Sequence, residues 1–157
     1  MKGIITAAGL GTRSGMDGRL RKELLPIYLK LGSNIVLRPI IDAVYSRMAI
    51  FGIIDVAIVL NPEDKITHAF VGTNLPEATV LHQSRQIGFG DAVLRAREFI
   101  GGIDFVLNAG DGIILNEEAY GQGIDLHRET GSSILYLMRV ENPSRYGVAE
   151  VSSRDGV

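Results

Sequence analysis

Cysteine is absent from the 157-residue chain, which removes disulfides, thiolate metal sites and cysteine nucleophiles together. An excess of one charge is absent too. Charged residues make up 22% and the formal net charge is −2, so nothing general attracts nucleic acid or a membrane surface. An anionic partner must therefore be met locally. There is no long hydrophobic run: the longest clean one, Val56 to Leu60 with Ile53 and Ile54 beside it, is too short to span a bilayer. The N-terminus has a single Lys2 and then GLGTR, without the apolar region and cleavage pattern of a signal peptide, so the expected compartment is cytoplasmic. His68, His82 and His127 have no metal-ligand spacing among themselves. No repeat, low-complexity tract or linker marks a second domain, and the length suits one domain over residues 1–157.

What is present reads as alternating strands and helices. Lys2 to Ala8 is a strand-type run, and Asn34 to Phe51 carries Ile35, Leu37, Ile40, Ile41, Val44, Met48 and Phe51 near helical spacing, with Gly52 to end it. Ile53 to Leu60 is almost wholly apolar and β-branched, as a strand covered on both faces should be. A short helix is expected over Glu63 to Val71, a strand over Ala78 to Leu81, a helix over Gly90 to Ile100 and a strand over Ile103 to Leu107. Asn116 to Glu129 is expected to be helical in part, weakened by Gly121 and Gly123; Ser133 to Val140 and Gly147 to Val151 read as strands. This order predicts a three-layer αβα domain with a mainly parallel, mixed sheet. Ligands of such sheets bind at the carboxyl ends of strands.

The first strand runs into Ala8-Gly9-Leu10-Gly11-Thr12-Arg13, where glycines bring backbone N–H groups close to any anion. Arg13 adds a fork of donors, and Lys22 a second cation before Leu24-Leu25-Pro26-Ile27. Two cations around a glycine loop suit a polyphosphate. A dinucleotide loop begins in the same way but needs a glycine at position 14, where this chain has serine. Farther on, Gln83 precedes Gly88-Phe89-Gly90, Asn108-Ala109-Gly110-Asp111 closes a strand, and Tyr146-Gly147-Val148 follows a Pro-Ser turn. From the residues alone, Gln83 also fits a surface amide before a capping glycine, Asp111 a turn aspartate, Tyr146 a packed hairpin tyrosine, and the Arg19, Arg21, Lys22 cluster plain solvated charge.

Together, in this order, these segments resemble the sugar-1-phosphate nucleotidyltransferases, in particular UTP–glucose-1-phosphate uridylyltransferases and glucose-1-phosphate thymidylyltransferases. The resemblance implies a Rossmann-like, GT-A-like nucleotidyltransferase fold. It implies transfer of a nucleotidyl group from UTP or dTTP to a sugar 1-phosphate, with Mg²⁺ as cofactor and a nucleoside triphosphate and a sugar 1-phosphate as partners; a homo-oligomer stays open. By the same resemblance Arg13 and Lys22 are catalytic, and Ala8, Gly9, Gly11, Thr12, Gln83 and Gly88 bind the nucleotide. Asp111 holds the metal, and Tyr146 and Gly147 line the sugar site. An amide such as Gln83 can donate to and accept from uracil or thymine. A carboxylate at a sheet mouth suits Mg²⁺, which is commonly held by one or two carboxylates plus substrate phosphates. The chain departs from the family pattern at Arg21, where a Pro or Ser usually stands, at Leu29 and Leu31 within LPIYLKLG, and at Gly112, where some relatives have a second acid. The Glu-Lys-Pro segment and later aspartate that follow the YGV strand in relatives are not found, so the expected domain lacks the family's C-terminal portion.

Overall fold

A computed structural model describes residues 1–11, 20–31 and 33–150. The chain divides into two compact units, Met1–Ile113 and Ile114–Val157.

The first unit is built on four parallel strands in the order β5-β4-β1-β6: β1 (Lys2–Ala7), β4 (Val56–Leu60), β5 (Thr79–His82) and β6 (Phe105–Ala109). All five residues of β4 are buried, which is why this stretch is nearly all Val, Ile, Leu and Ala rather than alternating. On one face Ile4, Ala8 and Val59 pack with Ala92 of α3 (Phe89–Leu94), Ile100 of α4 (Arg97–Ile100) and Ala96 between the two helices. The other face is covered by α1 (Ile40–Ile50), whose Met48 lies so close to Gly3 that no larger residue would fit without movement. Helices on both faces of a parallel sheet give the expected α/β, Rossmann-like layering, completed by α2 (Lys65–Asn74). No described helix is long and apolar enough to cross a membrane.

The expected helix over Asn34 to Phe51 begins only at Ile40. Asn34–Pro39 is instead strand β3, paired antiparallel with β2 (Pro26–Leu31) from Leu31↔Asn34 to Pro26↔Pro39. Ile35 and Leu37 are two apart, which is a strand period, and the residue before a proline is driven to extended backbone. Pro39 has φ −61° and ψ 151° and precedes the helix, where its missing N–H costs nothing. The Gly90 to Ile100 helix is broken at Arg95–Ala96, and the other elements shift by a few residues at their ends, with β4 starting at Val56 rather than Ile53.

In the second unit, α5 (Glu117–Thr130) runs through both glycines that were expected to weaken it. Gly123 is needed there: a Cβ would collide with the Tyr136 hydroxyl, which donates to the Tyr120 carbonyl at 2.8 Å. Asn116 caps the helix start by accepting from the Glu118 and Ala119 N–H groups, and Gly131, at φ 67°, ends it. The expected strand over Ser133 to Val140 does not form. Strand propensity is realised only by pairing, and this stretch has no ladder partner among the described residues, so Leu135, Leu137 and Met138 stay exposed. Gly147 to Glu150 is likewise unpaired; Val151 lies outside the described residues.

Candidate functional site

In the sheet, β1 lies between β4, which leads on to β5, and β6 on its other side. The order reverses there, so the crevice beyond the carboxyl ends of β1 and β6 is the switch point where open α/β sheets bind ligands. The parallel register keeps the two ends level: Thr6 is opposite Ala109, and the Gly110 N–H donates to the Thr6 carbonyl at 2.9 Å. Residues Ala8 to Gly11 leave β1 at this edge and Gly110-Asp111 leave β6. A Cβ on Gly110 would approach that of Ala7 to 3.0 Å, so a glycine lets the two strand ends close up.

Lys22, in a 3₁₀ turn over Lys22–Leu24, donates to the Asp111 carboxylate, and both side chains are about one-third exposed. The predicted cation and the predicted metal ligand thus meet at the crevice mouth. Glu23 turns inward instead. It is buried at 4% exposure with its Cγ against the Gly110 position, and burial is the main cause that raises its carboxyl above the usual range. Among the described residues no group of three or more His, Asp or Glu is placed to hold a metal by itself. Asp111 fits Mg²⁺ only in the mode in which one carboxylate shares the ion with phosphate oxygens and water.

Gln83 follows β5 at the same carboxyl edge, its N–H donating to the Leu60 carbonyl at 2.9 Å. It is 3% exposed, which rules out a surface amide. Its Nε2 donates to the Gly88 carbonyl at 3.0 Å and to Asp91 Oδ2 at 2.8 Å. Both partners only accept, so they fix which end of the amide faces them. Gly88, at φ 115° and ψ 173°, caps α3 in a backbone region that only glycine visits readily. Hydrogen bonds from Arg95 and then Gln83 hold the Asp91 carboxyl below its usual range.

Ala8, Gly9, Gly11, Lys22, Gln83, Gly88 and Asp111 all belong to the first unit and its carboxyl edge. Tyr146 and Gly147 lie in the second, where Tyr146 is exposed and follows a 3₁₀ turn over Pro143–Arg145 capped by Asn142. Thr12 and Arg13 lie outside the described residues. The sequence reading missed Arg21. Taken there as solvated charge, its side chain is 15% exposed and its Nε donates to buried Asp64 at 3.0 Å. The departure from the family's Pro or Ser was the signal available; the partner, far along the chain, was not.

Comparison with known proteins shows the family. The model of the family described as "Nucleotidyl transferase" matches residues 2–157. UTP–glucose-1-phosphate uridylyltransferases of two Staphylococcus epidermidis strains are each 29% identical over 99% of this chain and 61% of their own length, and one from Staphylococcus saprophyticus gives the same figures. A solved structure described as a glucose-1-phosphate thymidylyltransferase from Bacillus anthracis, in complex with a sucrose, superposes with a TM-score of 0.76 at 25% identity, over 99% of this chain and 61% of that one. The chain therefore spans about three fifths of the length of these relatives. With a glycine loop and a lysine–aspartate pair at the switch point, and a buried glutamine farther along the same carboxyl edge, it belongs to the nucleotidyl transferase family.

Proposed function

We propose that this chain carries the nucleotide site of a nucleotide-sugar pyrophosphorylase, which transfers a nucleotidyl group from UTP or dTTP to a sugar 1-phosphate such as glucose 1-phosphate. The observation that carries the reading is the Lys22–Asp111 pair across the β1/β6 crevice, beside the glycine loop. In the reaction a sugar-phosphate oxygen attacks the α-phosphorus, a P–O bond forms as the bond to the β-phosphate breaks, and pyrophosphate leaves in line. Such a step needs positioning and charge neutralisation rather than a covalent nucleophile. Backbone N–H groups of the glycine loop cradle the phosphates, Lys22 moves from Asp111 to a phosphate oxygen, and Arg13 adds a second cation. Asp111 is the residue that would hold Mg²⁺, which when bound would supply charge neutralisation for the triphosphate. Tyr146 and Gly147 are the sugar contacts in this reading.

Base choice follows from the amide. With Nε2 of Gln83 turned to Gly88 and Asp91, Oε1 is its other end, an acceptor. Uracil and thymine offer it an N3–H donor; cytosine has an acceptor at that position.

The test is a thermal-shift panel of UTP, dTTP, CTP, GTP, ATP and NAD with and without Mg²⁺, followed by a pyrophosphate-release assay with glucose 1-phosphate. A ligand that binds only the folded state raises its apparent stability. A Mg²⁺-dependent shift confined to UTP or dTTP, with pyrophosphate release, is the expected result. A shift without release would limit the chain to nucleotide binding, and a flat panel would overturn the reading.

A further inference from the structure

Glycine peptides rotate at little cost, so a glycine loop does not by itself decide which way its N–H groups point. In this chain something else does. The Arg21 guanidinium lies under the loop, with Nη1 donating to the carbonyls of Gly9 and Leu10 at 3.3 Å each. Its Nε donates to Asp64 Oδ2 at 3.0 Å. Asp64 is 3% exposed and anchored in turn: Oδ1 accepts from the Thr67 N–H at 3.2 Å and Oδ2 from the Thr67 hydroxyl at 2.7 Å, at the start of α2. The loop is thereby tied through one guanidinium to the buried start of α2.

The geometry has a direct consequence. A trans peptide is planar and directs the C=O of one residue and the N–H of the next to opposite sides. The described peptides are all trans. Drawing the Gly9 and Leu10 carbonyls onto Arg21 therefore turns the Leu10 and Gly11 N–H groups away from it. Successive N–H groups on one side of a loop make an anion-binding concavity, and Gly11, at φ 70°, supplies the left-handed backbone that such a concavity uses. Arg21 already faces a buried carboxylate and two carbonyls, so its charge is spent inside the protein rather than on a ligand.

We propose that Arg21 is a positioning residue: held by Asp64, it sets the peptide planes of the glycine loop so that the Leu10 and Gly11 N–H groups face the nucleotide's phosphates. This rests on the nucleotide site proposed above. The decisive variant is Arg21→Lys, in which a single ammonium nitrogen still pairs with Asp64 but has no second nitrogen to hold the loop carbonyls at the same time. Asp64→Asn is the second variant: an amide still caps α2 but turns a donor toward Arg21 if its oxygen stays on the Thr67 N–H.

Affinities for UTP with Mg²⁺, for inorganic pyrophosphate and for uridine are measured by calorimetry or ligand-observed NMR on the unaltered chain and both variants. The unaltered chain is expected to bind all three. In Arg21→Lys, UTP and pyrophosphate should weaken by roughly tenfold or more, the range for losing hydrogen bonds to a charged group, with uridine unchanged. Asp64→Asn should act in the same direction. Equal pyrophosphate affinity in Arg21→Lys and the unaltered chain overturns the proposal while leaving the nucleotide site standing. Parallel loss of uridine overturns it as well, since that marks a general structural effect. Failure of the unaltered chain to bind UTP or pyrophosphate overturns the site and the proposal together.

Discussion

Asp111→Asn separates what the crevice does for stability from what it does for ligands. The carboxylate pairs with Lys22, and with the two side chains 31% and 37% exposed the pair is close to a surface ion pair. Such pairs contribute about 0.2–1 kcal/mol, which for a domain of this size moves the melting temperature by no more than about 4 °C. Breaking a buried pair of the Arg21–Asp64 kind, with side chains 15% and 3% exposed, costs about 3–5 kcal/mol instead. Asn is almost isosteric with Asp and disturbs no packing, so the apo protein should unfold close to its unaltered temperature. The metal-linked effect runs the other way. Losing even an outer partner of a bound metal costs about ten- to a hundredfold in affinity, so losing a carboxylate that would hold it directly should cost at least that. The assay is apo thermal unfolding together with UTP titrations with and without Mg²⁺. The expected outcome is a near-unchanged melting temperature and a gain of UTP affinity from Mg²⁺ at least tenfold smaller than in the unaltered chain. Equal Mg²⁺ dependence in both proteins, or an apo loss above about 3 kcal/mol, would refute the reasoning, the second by showing that the pair is structural.

Four further outcomes are expected. Arg13→Ala should lower pyrophosphate release by roughly a hundredfold or more, the scale of a lost electrostatic donor, and unchanged turnover would remove it from the mechanism. Asp91→Ala should relax the hold on the Gln83 amide and cut the UTP-over-CTP preference by roughly fivefold or more, read from the two dissociation constants; an unaltered ratio would show that Asp91 does not orient the amide. Glu23, raised above 4.5 mainly by burial, favours the fold most when protonated: that contribution is full below about pH 4.5 and is lost as pH rises through the raised value. Denaturant titrations of the unaltered chain and Glu23→Gln across pH 4 to 8 should therefore diverge in favour of Gln toward high pH, and parallel curves would contradict the burial argument. Ile58→Ala, at a fully buried position in the middle of β4, should cost about 2–5 kcal/mol in the same measurement, and a loss under 1 would mean the sheet core is looser than its burial indicates.

The parts of the fold carried by local chemistry were legible in the sequence. Lys2 to Ala7 is strand-like and its glycine exit is adjacent, so strand and loop could be read from one stretch. The apolar run at Val56 to Leu60 announced a strand buried on both faces for the same reason. Pairing was not legible. Asn34 to Pro39 and Ser133 to Val140 are both rich in strand-forming residues, yet the first is in a hairpin and the second has no ladder partner among the described residues. The difference lies in whether a neighbour is brought alongside. Leu31 and Asn34 are close in sequence, and a Gly-Ser turn signal between them was there to be used. Nothing local could say that Gln83 is buried or that its amide answers to Asp91, because that depends on how the chain between β5 and α3 folds back on itself.

Arg21, Lys22 and Glu23 show where the remaining information was hidden. In the sequence they are a short run of charge, and such runs usually lie solvated on a surface. Arg21 has extended backbone, φ −79° and ψ 119°, and the next three residues tighten into a 3₁₀ turn. Three residues per turn send neighbouring side chains in different directions. The consequence is that Arg21 goes under the glycine loop to Asp64, Lys22 crosses the crevice to Asp111, and Glu23 is buried against Gly110. A buried pair that fixes geometry and an open pair that can be given up to a phosphate thus arise from consecutive residues. Charge patterning alone cannot distinguish them, because what separates the two roles is the exposure of the partner carboxylate.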